Sequence, residues 1–259
     1  MDLNLVKNTA IGAAYRSGEI LRRHMGSLES IEKKGPKDLV TAADLESEKQ
    51  IKATILERFP DHQIIAEESS KEISDTNGCT WIIDPLDGTT NFAHQVSIFS
   101  VSIAFAQNGE LKTGVVFNPV SGELFSAVKA EGAWLNGGAI HVSDCEKISE
   151  SLLVTGFPYD IKQGPRPYMD KFANCLSAAI GVRRLGSAAL DLCFVACGRF
   201  EGFWEENLKP WDTAAGTLIA REAGAMVTDF SGQAYDIFKK EIIASNGHIH
   251  QDLRLLLTQ

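Results

Sequence analysis

Apolar residues recur at helical spacing over residues 3–25, where Leu3, Val6, Ala10, Ala13 and Ala14 fall on one stripe. A second helix is predicted from about Ala43 to Phe59, with Ile51, Ile55 and Phe59 facing inward and Pro60-Asp61-His62 closing it. The polar segment EKKGPKDLVTAAD between them is expected to be a loop or short hairpin. QIIAEE then predicts a short strand that finishes on two acids, Glu67 and Glu68.

Farther on the period falls to two. IFSVSIAFA, LKTGVVFN, LFSAVKA and GAWLNGGAIHV read as strands, separated by the turns QNGE and PVSGE. That is an antiparallel meander. From about residue 150 the texture changes to strands alternating with helices: SLLVTGF, a helix near 166–180, GVRRLG, a helix over 187–198, then FEGFWEE. A helix over 211–223, GAMVTDFSG, EIIASN and a closing helix over 248–257 complete the chain. A meander followed by βα alternation predicts a mixed α/β protein with layered sheets. A soft boundary near 145–150 divides an N-terminal half, 1–148, from a C-terminal half, 149–259, with the two expected to pack as one compact unit.

Composition narrows the function classes. The chain has 259 residues, 44% of them hydrophobic and 23% charged, so a sizeable core is available. Its formal net charge of −9 argues against general nucleic-acid binding, which needs a basic face. No apolar run reaches membrane-spanning length, and the first twenty residues lack a continuous apolar stretch, so neither a membrane partner nor a signal peptide is expected. Five cysteines (79, 145, 175, 193 and 197) form no CxxC pair and suit reduced thiols in a cytoplasm. Cys193 and Cys197 have helical spacing and read as small apolar core residues rather than metal ligands. The HIH segment near the C-terminus is expected at the surface. Trp81, Trp204 and Trp211 each precede an acid-bearing position and are expected to pack beneath it as core.

The chemistry concentrates in WIIDPLDGTTNF, residues 81–92. Pro85 pushes Asp84 toward an extended conformation, and Gly88 can take a positive φ that turns the chain sharply. Thr89, Thr90 and Asn91 are helix-capping types, so a helix start with outward N–H groups is predicted here. Adjacent carboxylates suit a hard divalent cation, and such a terminus suits a phosphate. Asp-Pro and Asp-Gly are also ordinary turn formers, and the segment taken alone leaves both readings open. An aspartyl-phosphate motif fits poorly, since its acids stand two apart and these stand three apart.

Three blocks in order, AEES, WIIDPLDGTTNF and WDTAAGTLIAREAGAMVTD, resemble the inositol monophosphatase family, within the larger group that includes the fructose-1,6-bisphosphatases. KKGPKDLVTAAD and RRLGSAALDLCFVACG support the resemblance, which spans essentially the whole chain. It implies a layered αβαβα sandwich, with an antiparallel meander sheet and a second, smaller α/β sheet. It implies Mg²⁺-dependent hydrolysis of a phosphomonoester, with two or three ions per site, by a homodimer that is sensitive to Li⁺. On that resemblance Glu67, Asp84 and the Leu86 carbonyl look like ligands of one ion, Asp84, Asp87 and Asp212 of a second, and Glu67 also of a weaker third. Thr89, paired with Asp44, looks like the group that orients the attacking water, and the Gly88 and Thr89 amides like the phosphate cradle. Ser187, Ala188 and Glu205 fall where the family contacts the alcohol. The implied substrate is myo-inositol monophosphate or a similar small polyol or sugar phosphate. Fructose-1,6-bisphosphatase or histidinol-phosphatase activity stands as the alternative, and a non-catalytic regulatory role as the competing class. For a bisphosphate, Lys162, Arg166 and Lys209 are candidate basic contacts. Arg183 and Arg184 suit a phosphate or a subunit contact. Two positions depart from the commoner pattern: Ala66 replaces a glycine, and Lys209, in LKPWD, resembles the bacterial and archaeal form.

Overall fold

The computed structural model describes residues 1–25, 31–33, 39–70, 76–158 and 161–259, with the backbone alone at 31–33 and 39–41. Asp2 starts the first helix, α1 (Leu3–His24), by accepting the N–H groups of Asn4 and Leu5, and Arg22, Arg23 and His24 fall in its negative last turn. Val6, Ala10, Ala13 and Ala14 are buried on the stripe read from the sequence. They pack with Ile51 and Ile55 of α2 (Ala42–Arg58). Between these helices β1 (Ile31–Lys33) and β2 (Leu39–Thr41) pair antiparallel, as a hairpin requires; residues 34–38 of the expected loop lie outside the described residues.

The meander is a seven-stranded sheet in the order β3 (Gln63–Ala66), β4 (Cys79–Asp87), β5 (Ser100–Gln107), β6 (Glu110–Asn118), β7 (Glu123–Val128), β8 (Gly132–Leu135), β9 (Gly138–Ala139). Only β3 and β4 run parallel; each later pair is antiparallel. Strand alternation sends Trp81, Ile83, Ile103, Phe105, Val115 and Phe117 toward α1 and α2. Ile82, Ala104, Val116 and Phe125 face the other way, onto α5 (Ala188–Ala196) and α6 (Pro210–Glu222). Small residues let α6 lie close: a Cβ on Gly114 of β6 would meet the Ala215 carbonyl oxygen at 2.8 Å. That contact fixes the helix carrying Asp212.

A second sheet of five strands covers the far side of α5 and α6. Its order is β11 (Gly181–Arg183), β10 (Leu152–Thr155), β12 (Gly202–Glu206), β14 (Glu241–Ser245), β13 (Met226–Thr228). Val154, Phe203, Ile242 and Ala244 face the inner helices. Leu153, Trp204 and Ile243 face a third cluster with Cys175 of α4 (Arg166–Ala178) and Leu253 and Leu257 of α7 (His250–Thr258). The layers therefore run helix, sheet, helix, sheet, helix, which is the expected αβαβα sandwich. The short α3 (Thr89–Ala93) stands at the end of β4. No helix among the described residues is long and apolar enough to cross a membrane.

Two expectations change. His248 is exposed, but its neighbour His250 is buried, with Ser245 Oγ 2.8 Å from Nδ1 and Thr228 Oγ1 2.9 Å from Nε2. The Thr228 hydroxyl donates to the Asp229 carbonyl, so Nε2–H donates to Thr228 and Nδ1 accepts from Ser245. A short segment rich in polar residues reads as surface, and this hydroxyl pair, one member 22 residues away on another strand, is what allows the ring inside. Trp211 is only half-buried because it lines the cleft described below; Trp81 and Trp204 are core.

Burial, with Arg254 nearby, lowers the His250 pKa to about 4. The unfolded ring takes its proton near 6.5, so stability is lost as pH falls from that value toward 4. His250→Gln should flatten the decline of Tm across this window, by about 2–4 °C for each kcal/mol recovered. An unchanged acid limb in thermal melts between pH 7 and pH 4 would show that His250 does not contribute to it.

Candidate active site

Three separate stretches bring Glu67, Asp84, Asp87 and Asp212 to one cleft of about 300 Å³. Glu67 follows the last residue of β3, and its N–H donates to the Ile83 carbonyl at 3.2 Å, which ties it to β4. The strand thus ends before the acids rather than on them. Neighbouring Glu68 donates its N–H to Glu48 of α2.

Asp84 and Asp87 would point to opposite faces of a regular strand, being three apart. The register solves this. Asp84 lies opposite Ser102 and Asp87 opposite Ser100, so β4 carries one extra residue against β5 between them. Pro85, which has no N–H to give a ladder, sits in the irregular stretch. Asp84 Oδ1 accepts the Leu86 N–H at 3.0 Å, and the Leu86 carbonyl accepts the Thr89 hydroxyl at 3.1 Å. Asp44 was expected as the Thr89 partner; it is buried nearby and its charge acts on Asp84. Gly88 precedes α3 at φ 97°, and a Cβ there would meet the Ile98 carbonyl oxygen at 3.0 Å.

Asp212 comes from the first turn of α6, where Oδ2 accepts the Lys209 N–H at 2.7 Å. Ser102, the strand partner of Asp84, donates its hydroxyl to the Trp211 carbonyl at 3.3 Å, joining the start of α6 to the end of β4. The N-terminus of α5 is pinned in the same way. Ser187 Oγ donates to Asp87 Oδ2 at 2.5 Å and the Ala189 N–H donates to the same oxygen at 2.9 Å. Asn91 bridges the Ile98 and Leu185 carbonyls.

Ser187 and Ala188, expected against the alcohol, do line the cleft, but the Ser187 hydroxyl is committed to Asp87 and to the helix cap. Glu205, Lys209 and Arg184 line it too, whereas Lys162 and Arg166 are not part of its wall and Arg166 pairs with Asp170. Cys193 is buried in the central core. Sequence reasoning missed Ser100, Ser102 and Asp191, and read Asn91 as a helix-capping type where the cap position is Gly88 and Asn91 bridges two carbonyls. The serines are cross-strand partners of the two acids, a relation visible only once the bulge fixes the register. Asp191 is fully buried on α5, both its carboxylate oxygens lacking a hydrogen-bond partner among the described residues, with Glu205 and Asp87 nearby.

The electrostatics follow from burial. Asp84 is held well above the usual carboxylate range, first by desolvation, then by Glu67, Asp87, Asp212 and Asp44. Desolvation and Glu67 do the same to Asp212, opposed by the Lys209 N–H. Asp87 rises to about 6 through burial, checked by Ser187 and the α5 amides. Glu205 rises to about 8, again by burial first. Among the described residues no three such side chains already close round one ion position. The donors are nevertheless all oxygen and mutually repelling, which is the set that a hard divalent cation would satisfy.

A sequence profile of the inositol monophosphatase family matches residues 2–258, and the chain belongs to that family, which is one of generally metal-dependent phosphatases. Among its relatives is an inositol-1-monophosphatase of Synechocystis, 43% identical over 97% of this chain and 88% of that one. Another is Nus factor SuhB of Escherichia coli K12, 39% identical over 93% of this chain and 91% of that one. The solved inositol monophosphatase of Anabaena superposes with a TM-score of 0.91 at 41% identity, covering 100% of this chain and 97% of that one.

A carboxyl whose folded pKa is raised stabilises the fold only while protonated, and that contribution is lost as pH rises past its unfolded value. At pH 8 without metal, Asp84→Asn should therefore melt several degrees above the parent, at about 2–4 °C per kcal/mol. Added Mg²⁺ should raise the parent's Tm and leave the variant's nearly still. A variant that melts lower without metal and is stabilised equally by Mg²⁺ would contradict this reading of the cluster.

Proposed function

We propose that this protein is a Mg²⁺-dependent phosphomonoesterase acting on myo-inositol monophosphate or a similar small polyol or sugar phosphate. The observation that carries the reading is the convergence of Glu67, Asp84, Asp87 and Asp212 on one cleft beside the α3 start. Glu67, Asp84, Asp87, Asp212 and the Leu86 carbonyl would hold two or three Mg²⁺ ions, which supply positive charge to the phosphoryl and ester oxygens. The Gly88 and Thr89 amides cradle the phosphate. Thr89 gives its hydroxyl proton to Leu86, so its lone pairs can accept from a water and aim that water at phosphorus. Asp44 and Glu67 set the charge around that water. The water oxygen bonds to phosphorus, the P–O ester bond breaks, and the alcohol departs with a proton while phosphate is left behind.

The alcohol side is read from Glu205, Lys209, Ala188 and the lip around Ser187. Glu205 is buried at the cleft wall and suits polyol hydroxyls; Lys209, exposed at the lip, suits a second phosphate and keeps a sugar bisphosphate as an alternative substrate. Relatives named both inositol-1-monophosphatase and Nus factor leave room for a regulatory contact, but all four acids that the chemistry needs are present. The free cysteines support a reducing cytoplasm, and the family resemblance supports a homodimer.

A panel of phosphate esters assayed for phosphate release tests the reading. Inositol phosphates should turn over with Mg²⁺ and stop after chelation; an idle enzyme on every ester in the panel would reject it. Asp84→Asn should lose about 10²–10³-fold or more in kcat. Li⁺ should inhibit, and less so in Asp212→Asn. Glu205→Gln should lower kcat/KM on inositol phosphate far more than on 4-nitrophenyl phosphate, and equal losses would assign Glu205 to the metal cluster instead.

A further inference from the structure

Glu205 is nine-tenths buried at the cleft wall, and among the described residues no hydrogen bond or ion pair holds its carboxylate. The Arg184 charge across the cleft attracts it without a direct bond, so its seat is set by shape. Glu205 lies on β12 one residue past Trp204, which pairs with Thr155 of the parallel strand β10. The Thr155 hydroxyl donates to the Trp204 carbonyl at 2.7 Å, so the two strand ends are held together there. Gly156 is the next residue, and it also lines the cleft.

A Cβ built on Gly156 would stand 2.2 Å from both Glu205 carboxylate oxygens and 2.3 Å from Cδ. Real Cβ contacts essentially never fall under 3.0 Å, so the volume that a methyl group would take is the volume the carboxylate fills. Backbone conformation does not explain the glycine, since Gly156 has no positive φ. What glycine offers here is room. The main chain cannot back away to make more, because Thr155 is tied to Trp204 and the Phe157 ring packs on Phe172 with centroids 5.9 Å apart.

We propose that Gly156 is a specificity-determining positioning residue: its bare Cα seats the Glu205 carboxylate and aims it at the alcohol part of the substrate. The inference rests on reading Glu205 as the alcohol contact. A side chain at residue 156 displaces the carboxylate, which is the flexible partner, and leaves the acid cluster at the end of β4 untouched. The cost then falls on recognition of the polyol rather than on phosphate chemistry or on folding.

The test compares the parent with Gly156→Ala, Glu205→Gln and the double variant, each with Mg²⁺, on inositol 1-phosphate and on 4-nitrophenyl phosphate. Gly156→Ala should melt within about 3 °C of the parent. Its loss of kcat/KM on inositol phosphate should be about tenfold or more beyond its loss on the featureless ester. The double variant should be no worse than Glu205→Gln alone, because Gly156 acts only through that acid. Equal losses on both esters, or losses that add in the double variant, overturn the seat. If Gly156→Ala fails to fold, Gly156→Ala with Glu205→Asp should fold, since the shorter acid vacates the space; an unfolded pair overturns the seat as well. A parent that shows no preference for inositol phosphate overturns the reading of Glu205 and this inference with it, whereas a preference that Gly156→Ala leaves intact overturns the seat alone.

Discussion

At the end of β4, Asp84 and Asp87 are buried within reach of the charges of Glu67 and Asp212, and the charges of Glu67, Asp87 and Asp212 each make Asp84 harder to ionise. Nothing in the hydrophobic effect favours such a cluster; the surrounding structure has to impose it. The layers on either side of the seven-stranded sheet contribute large apolar burial, roughly 25 cal/mol for each Å² removed from water, and that surplus lets the end of one strand carry unfavourable charge. A group that binds only the folded cluster recovers the cost as affinity, so ligand binding and stability are linked through the same four side chains.

Small polar contacts turn that constraint into a defined site. Ser102 and Ser100 face Asp84 and Asp87 across the bulge, and each reaches beyond its own sheet, Ser102 to Trp211 and Ser100 to Ser187. The N-termini of α5 and α6 are thus anchored to the strand end that carries the acids. Helix starts also bring positive partial charge toward the carboxylates. The second sheet adds Glu205 to the same cleft from β12, so on the proposed reading phosphate chemistry and alcohol recognition would be built on different layers.

Much of this was legible in the residues. Period-two runs gave the meander, period 3.6 gave α1 and α2, and the acids of WIIDPLDGTTNF announced a charged strand end. What stayed hidden depends on register and on distant packing. The spacing of Asp84 and Asp87 looks wrong for one face until the extra residue against β5 is known. His250 reads as a surface residue because its two hydroxyl partners come from different strands. Asp191 sits in the apolar run ALDLCFVA, and Gly156 lies in an unremarked strand end, so neither carries a local signal of what it touches.

The central claim is that these four carboxylates form a cation site. Diffraction from crystals soaked in Mn²⁺, with anomalous differences recorded for that ion, tests it without reference to turnover. The account predicts anomalous peaks among Glu67, Asp84, Asp87 and Asp212, lost or weakened in Asp84→Asn. Crystals with no anomalous peak among these acids at saturating Mn²⁺ would contradict it.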